Sequence, residues 1–212
     1  MKLKNVSALS LLFSFAAAAP HPAPATFDIM SLRSASPIHF AQVSAARSGL
    51  FLNLPRSNAT CKGESSGHAT FYIANEELAL YSCEGEVQKV FVDRSGMGMF
   101  PCTSFFTLST FGYDALTFVR VGAWVTGQGV VRYVTGSQSL PRYAETKGWS
   151  IDPNKNLWFK DQGLVACPHS IDGSWSLWLN LGLSQPGGNK GCLGFTARTL
   201  ENKKPVSCRY TQ

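Results

Sequence analysis

A chain of 212 residues, 44% hydrophobic and 15% charged with a formal net charge of +6, is long enough for one domain with a real core. The positive charge is dispersed, densest at Lys203-Lys204 with Arg209 beyond, which suits a solvated face or weak attraction to acidic surfaces. The sequence carries no nucleic-acid-binding module, no zinc-type cysteine spacing or other cofactor motif, and no apolar tail after Arg198 that would signal a GPI anchor.

Residues 1–18 read as a secretory signal peptide. Lys2 and Lys4 precede a mostly apolar run over 6–18 that ends in Ala16-Ala17-Ala18-Ala19, and Pro20 disfavours a cut after Ala19, so cleavage is expected after Ala18, with a later cut after Ala25 as the alternative. The run is too short for a membrane anchor. Residues 19–31 open on a Pro- and Ala-rich stretch and are expected to form a flexible leader, followed by a β domain over 32–212.

From Ile38 onward, short apolar runs are separated by Gly, Asn, Asp and Pro, the pattern of strands and tight turns. Runs at 38–43 and 50–54 flank Ala46-Arg47-Ser48-Gly49, and runs at 71–73 and 78–80 flank Asn75-Glu76-Glu77. Val90-Phe91-Val92 leads into Asp93-Arg94-Ser95-Gly96. Further on, 149–151 and 157–159 flank Asp152-Pro153-Asn154-Lys155-Asn156. Trp175, Leu177 and Leu179 alternate with Ser174, Ser176 and Trp178, as in a strand buried mainly on one face. No stretch combines helical periodicity with caps.

About twelve strands result, in three loose groups over 38–81, 87–160 and 164–210, and the hairpins around Ile73 and Ile151 look like versions of one another. The prediction is an all-β single domain, a β-trefoil-like barrel whose closure hides its strand edges. A two-sheet β-sandwich is the alternative.

The six cysteines, Cys61, Cys83, Cys102, Cys167, Cys192 and Cys208, all follow the leader and would pass through an oxidising route where disulfides persist. Fifteen pairings are open to six cysteines. Cys167 with Cys192, flanking one hairpin-like excursion, is the preferred pair. Asn58-Ala59-Thr60 is an N-glycosylation sequon in a loop, with Cys61 directly after it.

Catalytic signatures are absent: there is neither G-x-S-x-G nor H-E-x-x-H, and His39, His68 and His169 are scattered. His39 is expected in the first strand. Asp93, Asp152, Asp161 and Asp172 could in principle supply paired carboxylates for glycoside hydrolysis, but their surroundings are turn-like, where Asp bonds nearby backbone. The aromatic side chains offer a different chemistry. Most of Trp149, Trp158, Trp175 and Trp178 should pack the core, yet an exposed member could stack on a sugar ring. Trp149, Trp158 and Trp178 are the candidates for glycan contact.

Six blocks in order carry a resemblance: 32–40, 71–80, Val92-Asp93-Arg94-Ser95-Gly96-Met97-Gly98, Gly148-Trp149-Ser150-Ile151-Asp152, Leu164-Val165-Ala166-Cys167-Pro168 and Gly191-Cys192-Leu193-Gly194-Phe195. With these the chain resembles the secreted fungal cell-wall proteins of the PhiA (phialide-development) type. The resemblance implies a secreted, non-catalytic role at the fungal wall, linked to conidiating-cell development. For a wall-associated protein held by glycan contacts and weak charge, cell-wall polysaccharide is the expected partner, with neither nucleic acid nor membrane. A lectin-like glycan-binding module or secreted effector is the alternative, and an enzyme is the third reading.

One segment is atypical. The resemblance implies a nearly direct run from Gly98 to Gln128, whereas residues 99–127 intervene, rich in Phe. Asp114 and Arg120 within it argue against a membrane span. Its residues are compatible with a short retained intron: Gly98-Met99-Phe100 with a GTATGT donor, Leu116-Thr117 with a CTNAC branch point and Thr126-Gly127 with an ACAG acceptor. Splicing would keep the frame and, by removing Cys102, leave an odd number of cysteines. A genuine insertion is the other reading.

Overall fold

The computed structural model describes residues 24–82, 85–95 and 128–212. The expected signal peptide, Cys83, Cys102 and the segment 99–127 lie outside the described residues. Alternation sets the first element. In β1 (Thr26–Leu32) Phe27, Ile29 and Ser31 point inward while their neighbours stay partly exposed, the period-two pattern of a half-buried strand. The expected leader therefore ends earlier than position 31, because Phe27 and Ile29 have a core to enter.

β2 (Val43–Ala46) and β3 (Gly49–Leu52) form a hairpin, followed by β4 (Thr60–Cys61), then β5 (Thr70–Ala74) and β6 (Glu77–Leu80) as a second hairpin. Both turns need positive φ at two residues, supplied at 45° and 60° by Arg47 and Ser48, and at 51° and 63° by Asn75 and Glu76. These are the backbone angles of a two-residue primed turn, whose twist matches the flanking strands. The first of these hairpins starts later than expected: residues 38–42 form no strand, and His39 lies in a turn with its Nδ1 accepting from the Arg33 N–H at 3.1 Å.

The chain continues through β7 (Gln88–Asp93), β8 (Val130–Thr135), β9 (Ala144–Glu145), β10 (Trp149–Ile151), β11 (Leu157–Phe159), β12 (Leu164–Cys167), β13 (Trp175–Leu179), β14 (Leu193–Glu201) and β15 (Cys208–Arg209). Helix among the described residues is limited to single 3-10 turns at Ile171–Gly173 and Pro186–Gly188.

The main sheet closes on itself. The circuit β3-β13-β12-β14-β1-β5-β6-β7-β8 returns to β3, giving a nine-stranded barrel, with β2 and β9 attached at its sides. Closure displaces the sandwich alternative and removes the free edges that promote association.

The pairings also follow a threefold plan. Hairpins β2–β3, β7–β8 and β12–β13 touch one another pairwise, through Gly49 with Arg132, Trp175 with Leu52, and Trp178 with Val130. The second set is β5–β6, β10–β11 and the pairing of β14 with β1. These are linked in turn by β1–β5, by the Gly148 and Trp149 N–H groups on Glu76 O (3.1 Å each), and by the Thr199 N–H on Lys155 O (2.8 Å). Twelve strands thus fall into three four-strand units over 26–74, 77–151 and 157–201, which is the β-trefoil arrangement. The units are offset from the expected groups because β1 precedes them and each unit ends halfway through a hairpin.

The interior is filled by Ile29, Leu52, Phe71, Leu78, Tyr133, Trp149, Phe159 and Leu177 among others. Cys61–Cys208 staples β4 to β15, and Cys167–Cys192 ties the end of β12 to the start of β14. With separations of 147 and 25 residues, the chain-entropy model assigns them about 5 and about 3.5 kcal/mol.

Candidate functional site

Strand parity sorts the tryptophans. In β11 Leu157 and Phe159 face the core, so Trp158 between them faces outward and remains partly exposed. Trp149 is the cross-strand partner of Phe159 and shares its inward face, 2% exposed with the two rings 4.8 Å apart. That burial removes Trp149 from the candidates for glycan contact. In β13 Leu177 and Leu179 point inward, and Trp178 is outward and partly exposed.

Trp158 is held by the turn that precedes it. Asp152 accepts the Asn156 N–H on Oδ1 at 2.8 Å, and on Oδ2 accepts the Asn156 amide at 2.9 Å and the Trp158 indole N–H at 3.0 Å. These bonds, the Asn156 N–H foremost, hold the Asp152 carboxyl below its ordinary range. Ser150, Asp152, Trp158 and Asp161 line a shallow cleft of about 320 Å³. Its indole is fixed at one edge, and Ser150 and Asp161 are exposed beside it. An indole face with a neighbouring hydroxyl and carboxylate suits a sugar: C–H groups pack on the ring and hydroxyls meet the polar groups. A general acid would need a raised pKa, and Asp152 is shifted the other way.

Trp178 lines a second cleft at the junction of the three hairpins. Its indole N–H donates to Ser176 Oγ at 2.9 Å. Gly187, at φ +63°, lies so close that a Cβ there would fall 2.4 Å from the indole.

The other candidate groups lie in turns, in loops or beside the core. Buried Asp93 accepts the Ser95 N–H at 2.8 Å in an Asx-type turn. Asp172 and Asp161 occupy positive-φ turn positions. The His68 Nδ1 is 3.4 Å from buried Ser44 Oγ, and desolvation lowers its pKa against the opposing charge of Asp28. Among the described residues no three His, Cys, Asp or Glu side chains gather as metal ligands would. Asn58 is exposed at φ 51° in the loop between β3 and β4.

The described residues thus form a disulfide-stapled β-trefoil barrel with two clefts lined by tryptophan. The chain belongs to the PhiA-like secreted protein family, whose model matches residues 27–108 and 117–211. It is 40% identical to the cell wall protein phiA of Emericella nidulans, 36% to that of Aspergillus fumigatus and 38% to that of Arthroderma benhamiae, each over the whole of both chains. None of these descriptions is enzymatic. No solved structure matches the chain.

Proposed function

We propose that the protein is a non-catalytic component of the fungal cell wall that holds a neutral wall polysaccharide at the Trp158 cleft. The observation that carries this reading is the outward indole of Trp158, fixed through its N–H by Asp152 and flanked by Ser150 and Asp161. Relatives named as cell wall proteins, and a family described as secreted, support the location. Two disulfides and a closed barrel suit life outside the cell. Among the described residues no helix is long and apolar enough to cross a membrane, so attachment to polymer is the route this reading uses.

The link to conidiating cells that the resemblance implies belongs to the same reading, and a deletion strain with normal phialides would contradict it. The binding claim is tested on Trp158→Ala. Its retention on insoluble chitin, β-glucan or mannan should fall about tenfold, the equivalent of about 1.4 kcal/mol, while the melting temperature stays unchanged because the ring lies outside the core. Equal retention by both proteins would overturn the assignment of the site.

A further inference from the structure

The second cleft has a different chemistry from the first. It encloses about 320 Å³ where all three hairpins of one end meet, and its lining includes Arg47, Arg132, His169, Trp178 and Asn189 but no Asp or Glu. Arg47 projects from the β2–β3 turn, Arg132 from β8, and His169 from the link between β12 and β13.

Some cationic side chains elsewhere on the barrel have an acid within reach. Arg94 and Lys160 share Glu145, Lys89 pairs with Glu77, and Arg209 pairs with Glu86. Arg47 and Arg132 have no such ion pair among the described residues. Arg132 is moreover half-buried on a cleft whose lining holds no acid, so an incoming anion would meet its guanidinium without a competing carboxylate. Trp178 beside it is immobilised by Ser176 and Gly187, so its face is set before any ligand binds, which lowers the cost of binding.

We infer that the hairpin-junction cleft binds an anionic saccharide, a sugar carrying a carboxylate or a phosphate. The guanidiniums of Arg47 and Arg132 match either oxyanion as two-pronged donors. The Trp178 indole takes the C–H face of the ring, and the volume lies at the lower end of the ordinary small-molecule range. The choice of a saccharide rests on the wall-polymer reading; the anionic part rests on the cleft alone.

The test is calorimetric titration of the secreted protein with glucuronic acid and with mannose 6-phosphate, using glucose, mannose and inorganic phosphate as controls. Binding of the uronic acid alone identifies a carboxylate ligand, and binding of the sugar phosphate alone a phosphate one. In either case Arg132→Gln and Trp178→Ala should weaken binding about tenfold and Trp158→Ala should leave it unchanged. Arg47→Gln, on an exposed turn, should also weaken it and covers the case in which Arg132→Gln fails to fold. Absence of binding by both acidic sugars overturns the inference, as does binding that survives Arg47→Gln, or inorganic phosphate binding as tightly as its sugar ester. Retention on neutral polymers is read separately, so loss of the Trp158 site and loss of this one are distinguishable.

Discussion

Gln88 shows how a single polar residue can hold distant parts of this fold together. It is fully buried in β7, where its amide donates to Thr135 Oγ1 and Tyr210 O at 2.9 Å each and its carbonyl accepts the Tyr210 N–H at 2.8 Å. Gln88→Leu keeps the volume but leaves the Tyr210 N–H buried without a partner. The expected loss is about 1–3 kcal/mol in urea unfolding, and an unchanged midpoint would contradict it. At the surface, exposed Asn58 is expected to carry an N-linked glycan in the secreted protein. Asn58→Gln should abolish a glycosidase-sensitive gel shift, and absence of that shift in the unaltered protein would show an empty sequon. The sequence left Trp149 and Trp158 together as candidates for glycan contact, because the hairpin register that pairs Trp149 with Phe159, and so turns one indole inward and the other outward, is set by the fold. The junction cleft was not legible, because Arg47, Arg132 and His169 are brought together only by closure of the trefoil.

The elements were legible where turns announce them. Asn75-Glu76 and the Asp152–Asn156 stretch mark hairpins by chemistry that acts locally, through tolerance of positive φ and side-chain bonds to nearby backbone. The first strand was not, since a Pro- and Ala-rich start masks the alternation of Phe27 and Ile29. Similarly, Ile38 and Phe40 look strand-like, yet Ile38 is buried from a turn and Phe40, at φ 62°, is exposed. The rims of segment 99–127 bear on its origin. Asp93 and Val130 are direct cross-strand partners and the Gly129 N–H donates to Asp93 O at 3.1 Å, so removing 99–127 would leave seven residues to close the β7–β8 hairpin. A loop of that length closes readily. The retained-intron proposal predicts that reverse-transcribed message lacks these codons; a predominant transcript that keeps them would establish a genuine insertion.

For the molecule as a whole, acid should loosen the barrel. Glu77 is held below its ordinary value mainly by the Lys89 hydrogen bond. At Glu145 burial, which alone would raise the value, is outweighed by Lys160 and Arg94. Asp152 is held down by its turn. Each folded pKa lies below its unfolded one, so this stabilisation is present above the unfolded value of about 4 and is lost as pH falls through the folded values. The melting temperature should therefore drop below about pH 4, with a shallower slope in Glu145→Gln; a melting temperature that rises on acidification would contradict the ion-pair assignments. Above the stability of the barrel stands its use. If a neutral polysaccharide is held through stacking on Trp158, retention of the secreted protein on chitin, β-glucan and mannan across a salt titration will reveal it. Saturable retention on one polymer should persist at high salt, where screening removes charge attraction. Retention on none of the three, or retention that salt abolishes, would contradict it.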